Sequence, residues 1–192
     1  PYSIFEETYI DMLPTASYVS SGVWKIILSP IQIKDGQFDL WLPSATARNA
    51  STGFLASLPE TTLTIPSTAC KVITVGAYNS HSDTLAAFSG RGFTWSTDFK
   101  KPDLVAPGVD IISCAAGGGY SSKTGTSMAA PFVTGACALL MEWGIVMENN
   151  PYMYGERIKA ALIQGTRRLP FMSTLPSPEA GWGALCLDFL LE

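Results

Sequence analysis

Apolar residues in the last two-thirds of the chain form runs of two kinds, separated by polar or turn-forming residues. The run Val72–Ala77 is short, β-branched and flanked by turn formers, which predicts a fully buried parallel strand. The run Val133–Trp143 is apolar and of helical length. Residues 155–168 predict a second helix, because three apolar side chains recur there at helical spacing: Ile158, Ala161 and Leu162.

The N-terminal third has a different pattern. Tyr18–Val19, Gly22–Ser29 and Gly36–Pro43 read as strands, and Asp35-Gly36 is a hairpin signal between strand-like runs. Such a module predicts an antiparallel sandwich or jelly roll. At about 60 residues it is short for a self-standing sandwich, so we expect the second half of one.

Composition narrows the classes of function. At 192 residues and 47% hydrophobic, the chain can bury a substantial core, and its length fits one domain plus a partial module. A net charge of −4 with no basic patch argues against nucleic acid as a partner. No run of about 18 apolar residues occurs, and Val133–Trp143 is short and includes Glu142, so we predict no membrane span.

Metal and disulfide chemistry are not predicted. The cysteines show no C-x-x-C spacing, and each lies in an apolar segment, which predicts buried free thiols: Cys70, Cys114, Cys137 and Cys186. That usage favours a reducing compartment over a disulfide-built secreted protein. Four aspartates lack the spacing of a calcium loop, so no metal or cofactor is expected: Asp83, Asp98, Asp103 and Asp110.

The most specific pattern is residues 123–135, which read K-T-G-T-S-M-A-A-P-F-V-T-G. A serine hydroxyl is a weak nucleophile, and it needs a base and a site for the oxyanion. A serine in the first turn of a helix lies beside unpaired N–H groups that favour negative charge. The pattern therefore nominates Ser127 as a nucleophile, with Gly125 and Thr126 shaping the turn. The alternative is an ordinary buried helix with a Ser/Thr cap.

This segment resembles the serine-nucleophile motif of the subtilisin-like serine peptidases, the subtilases. Other segments resemble that family in the same order and cover roughly residues 62–192: 72–77 (V-I-T-V-G-A), 87–92, 101–113 (K-P-D-L-V-A-P-G) and 181–185. The resemblance implies an α/β fold, the C-terminal part of a doubly wound parallel-sheet domain. It implies a hydrolase acting on protein or peptide substrates through a Ser-His-Asp triad.

The family's aspartate, histidine and oxyanion-asparagine motifs are absent from the sequence. The one histidine, His81, is expected to be a solvated turn residue rather than a base. Because the chain starts at Pro1, we expect a fragment or a processed product that is inactive alone. Its partner would then be the remainder of the same protease, bearing the Asp and His.

The predicted β-rich module, 1–61, stands just before an I-P-S-T segment. That arrangement resembles the clostridial subtilases of Csp type, which carry a jelly-roll insert; a different β insert is the alternative. In the family, the segment matching Ile65-Pro66-Ser67 helps wall the substrate pocket, although it could be only the lead into a strand. The resemblance favours a bacterial spore or an extracellular location, and the sequence does not decide the compartment.

Two other functions remain possible at this point. The chain could come from a pseudoprotease that binds a partner, for example in spore germination, because the subgroup includes members with degraded triads. It could also be a mere structural fragment. With half of a doubly wound sheet missing, its strands and helices would expose apolar faces, so it would need its remainder, a second copy or a swap.

Overall fold

The computed structural model describes residues 8–14, 16–33, 36, 38–43, 48–49, 51–93 and 100–188. The chain divides into two compact units, Pro1–Thr52 and Gly53–Glu192. The division falls earlier in the chain than the predicted boundary between 61 and 62.

The described residues of the first unit contain no strand or helix. Tyr18–Val19 and Gly22–Ser29 are therefore not strands here, and neither are the described residues of Gly36–Pro43. Asp35 of the hairpin signal and Gln37 lie outside the described residues. A strand is stabilised by its ladder of hydrogen bonds to a partner, and no described segment of this unit supplies one. The alternating apolar side chains stay in water instead, as with Val23 (81% exposed).

The second unit is an α/β domain built on a small mixed sheet. Its strands are β1 (Val75–Asn79), β2 (Thr84–Leu85), β3 (Leu104–Pro107), β4 (Ile111–Cys114) and β5 (Tyr120–Lys123). The central sheet has the order β2-β1-β3, with β1 parallel to β3 and antiparallel to β2, while β4 and β5 form a separate hairpin. Ala184 extends the central sheet through a parallel bridge to Val105. This confirms the predicted α/β class.

Two helices follow the strands. They are α1 (Thr126–Met141), which continues into a π-helical segment (Glu142–Val146), and α2 (Glu156–Gln164). The predicted strand at 72–77 starts later than expected, at Val75. The preceding residue, Thr74, forms hydrogen bonds that involve side chains, which are described below. The predicted second helix ends at Gln164, because Arg167 leaves the helix to exchange two backbone hydrogen bonds with Ala184.

Both faces of the parallel pair are covered, as the period of two along a strand requires. Leu104 and Ala106 of β3 face α1, whose buried residues recur at helical spacing: Ala129, Val133, Ala136 and Leu140. Val105 faces the opposite side, where it meets Leu169 and Ala184. The sheet therefore holds α1 through its apolar stripe and sets the position of the helix start.

The helix Thr126–Val146 is long and apolar enough, by length and composition alone, to cross a membrane. The sequence prediction of no such segment counted only Val133–Trp143, and the structure extends the helix at both ends. Its contacts with β1 and β3 assign it to the domain core. Only 28% of its apolar stretch is buried, so one face stays exposed, with Phe132, Leu139 and Met141 among the exposed side chains.

Candidate active site

Ser127, the predicted nucleophile, is the second residue of α1 and is exposed. No side chain of the described residues caps this helix, whose N-cap is Gly125. Within residues 100–188, the Ser127 N–H donates no backbone hydrogen bond, as expected for the first turn of a helix. The turn therefore presents an accessible hydroxyl and an unpaired N–H group at the positive end of the helix dipole.

Gly125 is required by the shape of this turn. Its φ of +153° with ψ of 164° is a conformation that residues with a Cβ rarely adopt. The conformation lets the chain leave β5 and begin α1 without a connecting loop. Thr126, the other predicted turn residue, is the first residue of the helix and is half-buried.

Gly108 connects the helix start to the carboxyl ends of the parallel strands. The Gly125 N–H donates to the Gly108 carbonyl at 2.8 Å, and the Gly108 N–H donates to the Tyr78 carbonyl at 3.0 Å. A Cβ on Gly108 would lie 2.6 Å from the Ala77 Cβ and 3.0 Å from the Gly125 oxygen. Only a glycine allows β1, β3 and the start of α1 to approach this closely.

The segment Ile65-Pro66-Ser67 makes its contacts at the other end of β1. The Thr74 hydroxyl donates to the Ser67 carbonyl, and Thr74 directly precedes β1, whereas Gly108 meets Tyr78 near the end of that strand. Four residues of strand separate these anchor points by about 13 Å. Ile65 is 86% exposed. No hydrogen bond joins this segment to Ser127 within the described residues, and its pocket role stays a prediction.

His81 lies in the turn between β1 and β2, is exposed, and its backbone N–H donates to Asn79 Oδ1 at 2.9 Å. The prediction of a solvated turn residue is confirmed.

The cysteine prediction is confirmed only in part. All four are free, but Cys70 and Cys114 are exposed, because the first lies in a surface turn and the second ends the exposed strand β4. Among the described residues, no three metal-ligating side chains come together.

A buried charge cluster at the amino ends of β1 and β3 was missed by the sequence analysis. The side chains of Lys101 and Asp103 are 1% and 3% exposed, and Lys101 Nζ lies 2.7 Å from Asp103 Oδ2. Lys159 of α2 reaches Asp103 Oδ1 at 2.9 Å. Burial lowers the pKa of Lys101, and its hydrogen bond to Asp103 opposes that shift. The only sequence signal was two charged residues flanking a proline directly before a buried strand.

Two open cavities, each of ≈ 480 Å³, lie away from Ser127. One is lined by residues that include Trp143, Met153 and Gln164, and the other by residues that include Cys137 and Glu156. An apolar cavity is the default place to look for a binding site. Ser127 is not among the residues that line either cavity.

Comparison with known proteins shows which family this chain resembles. The profile of the Subtilase family (Peptidase_S8) matches residues 48–183. The serine protease AprX of Bacillus subtilis is 36% identical over 125 residues, which are 55% of this chain and 27% of AprX. A thermophilic serine proteinase from a Bacillus species (strain AK1) is 49% identical over 73 residues, 38% of this chain and 16% of that protein.

Among solved structures, the CspB protease of Clostridium perfringens matches with a TM-score of 0.68 and 51% identity. The match covers 71% of this chain and 29% of that one. This similarity confirms the predicted resemblance to the Csp-type subtilases, and it does not test the predicted jelly-roll insert. The chain spans less than a third of the length of each of these relatives.

Proposed function

The chain belongs to the subtilase family, and on that premise we propose that it carries the nucleophile of a serine endopeptidase, Ser127. One observation carries the proposal. Ser127 is exposed in the first turn of α1, two residues after the N-cap Gly125, and no side chain of the described residues caps this helix. A hydroxyl and an unpaired N–H are then available at the same helix start, which acyl transfer requires.

In the proposed reaction, Ser127 Oγ attacks the carbonyl carbon of a peptide bond in a protein or peptide substrate. A histidine takes the hydroxyl proton and gives it to the leaving amine, and an aspartate orients that histidine. The Ser127 N–H stabilises the oxyanion together with an asparagine side chain. We assign the histidine to a residue outside this sequence, because its one histidine, His81, lies in an exposed surface turn. We assign the aspartate and the asparagine likewise, because the family's motifs for them do not occur in the sequence. The chain alone is then inactive, because loss of the base costs about a millionfold in turnover.

Two finer features belong to the same proposal. Residues 1–61 would be part of a β-sandwich insert, since their alternating apolar side chains need partner strands to be buried. Ile65, Pro66 and Ser67 would wall the substrate pocket in the full-length protein, and the exposure of Ile65 supports that role. The test is the Ile65→Ala variant. If it prefers a different residue before the cleaved bond, the pocket assignment is supported, and an unchanged preference contradicts the assignment.

The deciding experiment is labelling of the full-length gene product with a fluorophosphonate probe for activated serines. We expect labelling of the full-length protein, none of Ser127→Ala, and none of residues 1–192 alone. Circular dichroism of Ser127→Ala serves as the control for folding. A folded, processed full-length protein that does not label, or a Ser127→Ala variant that labels as the wild type does, contradicts the proposal. A folded, processed full-length protein that does not label would instead support a pseudoprotease.

A further inference from the structure

The β4–β5 hairpin is closed at its base by side-chain hydrogen bonds rather than by the backbone ladder. The register ends with Ile111 opposite Lys123, and the next residues along the two strands are Asp110 and Thr124. The Asp110 N–H donates to Thr124 Oγ1 at 2.9 Å, and the same hydroxyl donates to Asp110 Oδ1 at 3.2 Å. A single hydroxyl therefore makes both bonds.

This hydroxyl lies at the start of the nucleophile turn. Thr124 is followed by Gly125, whose N–H donates to the Gly108 carbonyl, and Ser127 comes two residues later. Because glycine is permissive in φ and ψ, the backbone at Gly125 does not by itself determine where Ser127 lies. The turn is held by two consecutive attachments to the β3–β4 turn, one to Gly108 and one to Asp110.

The conformation of Asp110 supports a specific role for the contact. Its φ is +53°, in the left-handed region that residues with a side chain seldom occupy and that aspartate tolerates better than most. Such a residue persists where its surroundings hold it, and such sites cluster near functional turns. Here the left-handed backbone accompanies an N–H group aimed at the Thr124 hydroxyl.

We propose that Thr124 and Asp110 are positioning residues for Ser127, an inference that rests on the proposed function. This role requires no contact between either side chain and the substrate. The hydroxyl bridge holds the peptide that leads into α1, so that Oγ and the N–H of Ser127 stay aligned for attack and for the oxyanion. Without the bridge, rotation about the Gly125 backbone lets Ser127 Oγ occupy positions from which its attack on the carbonyl carbon is slow. The loss should therefore lower kcat and leave KM nearly unchanged.

The size of the effect follows from two limits. One lost hydrogen bond of ordinary strength corresponds to a factor of about five. A displacement of about 1 Å in a catalytic group corresponds to about a hundredfold. We expect Thr124→Val to lower kcat about tenfold, between these limits. Asp110→Ala keeps its N–H donor and should lose only about threefold.

The test uses the full-length gene product and measures peptide hydrolysis, the rate of fluorophosphonate labelling and the melting temperature. Thr124→Ser keeps the hydroxyl and should stay within about twofold of the wild type. Thr134→Val is the matched control, because the Thr134 hydroxyl donates only to the Ala130 carbonyl, one turn earlier in α1. It removes the same atom and should change neither rate.

The outcomes separate the two proposals. A Thr124→Val protein that labels and cleaves as fast as Thr134→Val overturns the positioning role and leaves the proposed function standing. A wild type that does not label contradicts the proposed function, and the positioning role with it. Should Thr124→Val unfold, Asp110→Ala decides, since an unchanged labelling rate in that variant overturns the proposal.

Discussion

The carboxylate of Asp103 is buried and lies at the centre of a charge cluster. It accepts hydrogen bonds from Lys101 Nζ at 2.7 Å and from the Thr74 N–H at 2.7 Å. It also forms an ion pair with Lys159 Nζ at 2.9 Å. The Asp103 N–H in turn donates to the Thr74 carbonyl at 2.9 Å. One side chain therefore joins the starts of β1 and β3 to α2.

Asp103→Asn keeps the shape and removes the charge. Lys101, with 1% of its side chain exposed, is then left beside a neutral amide and a second lysine. Breaking a buried ion pair costs about 3–5 kcal/mol, because the remaining charge stays buried without compensation. The asparagine oxygen still accepts one bond, and Lys101 relieves part of the penalty by losing its proton. We therefore expect a loss of about 3 kcal/mol in the free energy of unfolding.

The assay is urea unfolding of the full-length gene product, followed by tryptophan fluorescence and circular dichroism. Glu156→Gln is the matched control. It makes the same kind of change in the Lys71–Glu156 pair, whose atoms are 3.5 Å apart and whose side chains are 81% and 71% exposed. Exposed pairs contribute about 0–1 kcal/mol. If Asp103→Asn and Glu156→Gln differ by less than about 1 kcal/mol, the argument from burial is refuted.

Three further predictions follow from packing and burial. Gly108→Ala should destabilise the fold by about 1–3 kcal/mol in urea unfolding, because its Cβ would overlap β1, whereas Gly135→Ala, with nothing within 4 Å, should be neutral or stabilising; equal effects would contradict the close packing. Burial raises the pKa of Cys137, so iodoacetamide at pH 8 should modify exposed Cys70 at least about tenfold faster, as read by mass spectrometry, and equal rates would be contrary evidence. Burial lowers the pKa of Lys101, so between that lowered value and 10.5 the unfolded chain binds more protons than the folded one. The stability of the wild type relative to Lys101→Met should therefore rise with pH across that window in urea titrations, and a fall would reverse the assigned sign.

The elements of the second unit were predictable where a local pattern was strong. The apolar run around Val133 predicted α1, since a helix core needs only periodic apolar side chains. The boundaries were less accurate, because they depend on contacts distant in sequence. β1 starts at Val75 rather than Val72, since the Lys101 and Lys159 ammonium groups bond the Val72 carbonyl and Asp103 bonds the Thr74 N–H. The strand predictions in the first unit failed for a different reason. An alternating pattern shows which side chains a segment can bury, but it does not identify the strand that would pair with that segment.

For the candidate site, the sequence by itself was enough to nominate the proposed nucleophile, Ser127. The pattern around Ser127 predicted a flexible turn of cap-forming residues before an apolar helix, and those properties are local. The tertiary structure alone decided what holds that turn. The bonds from Gly125 to Gly108 and from Thr124 to Asp110 join residues 14 or more positions apart, and the Asp103 cluster joins the starts of two strands to a helix. Such contacts exist only once the chain is folded, because their geometry comes from the pairing of strands, parallel for β1 with β3 and antiparallel for β4 with β5, rather than from neighbours in the sequence.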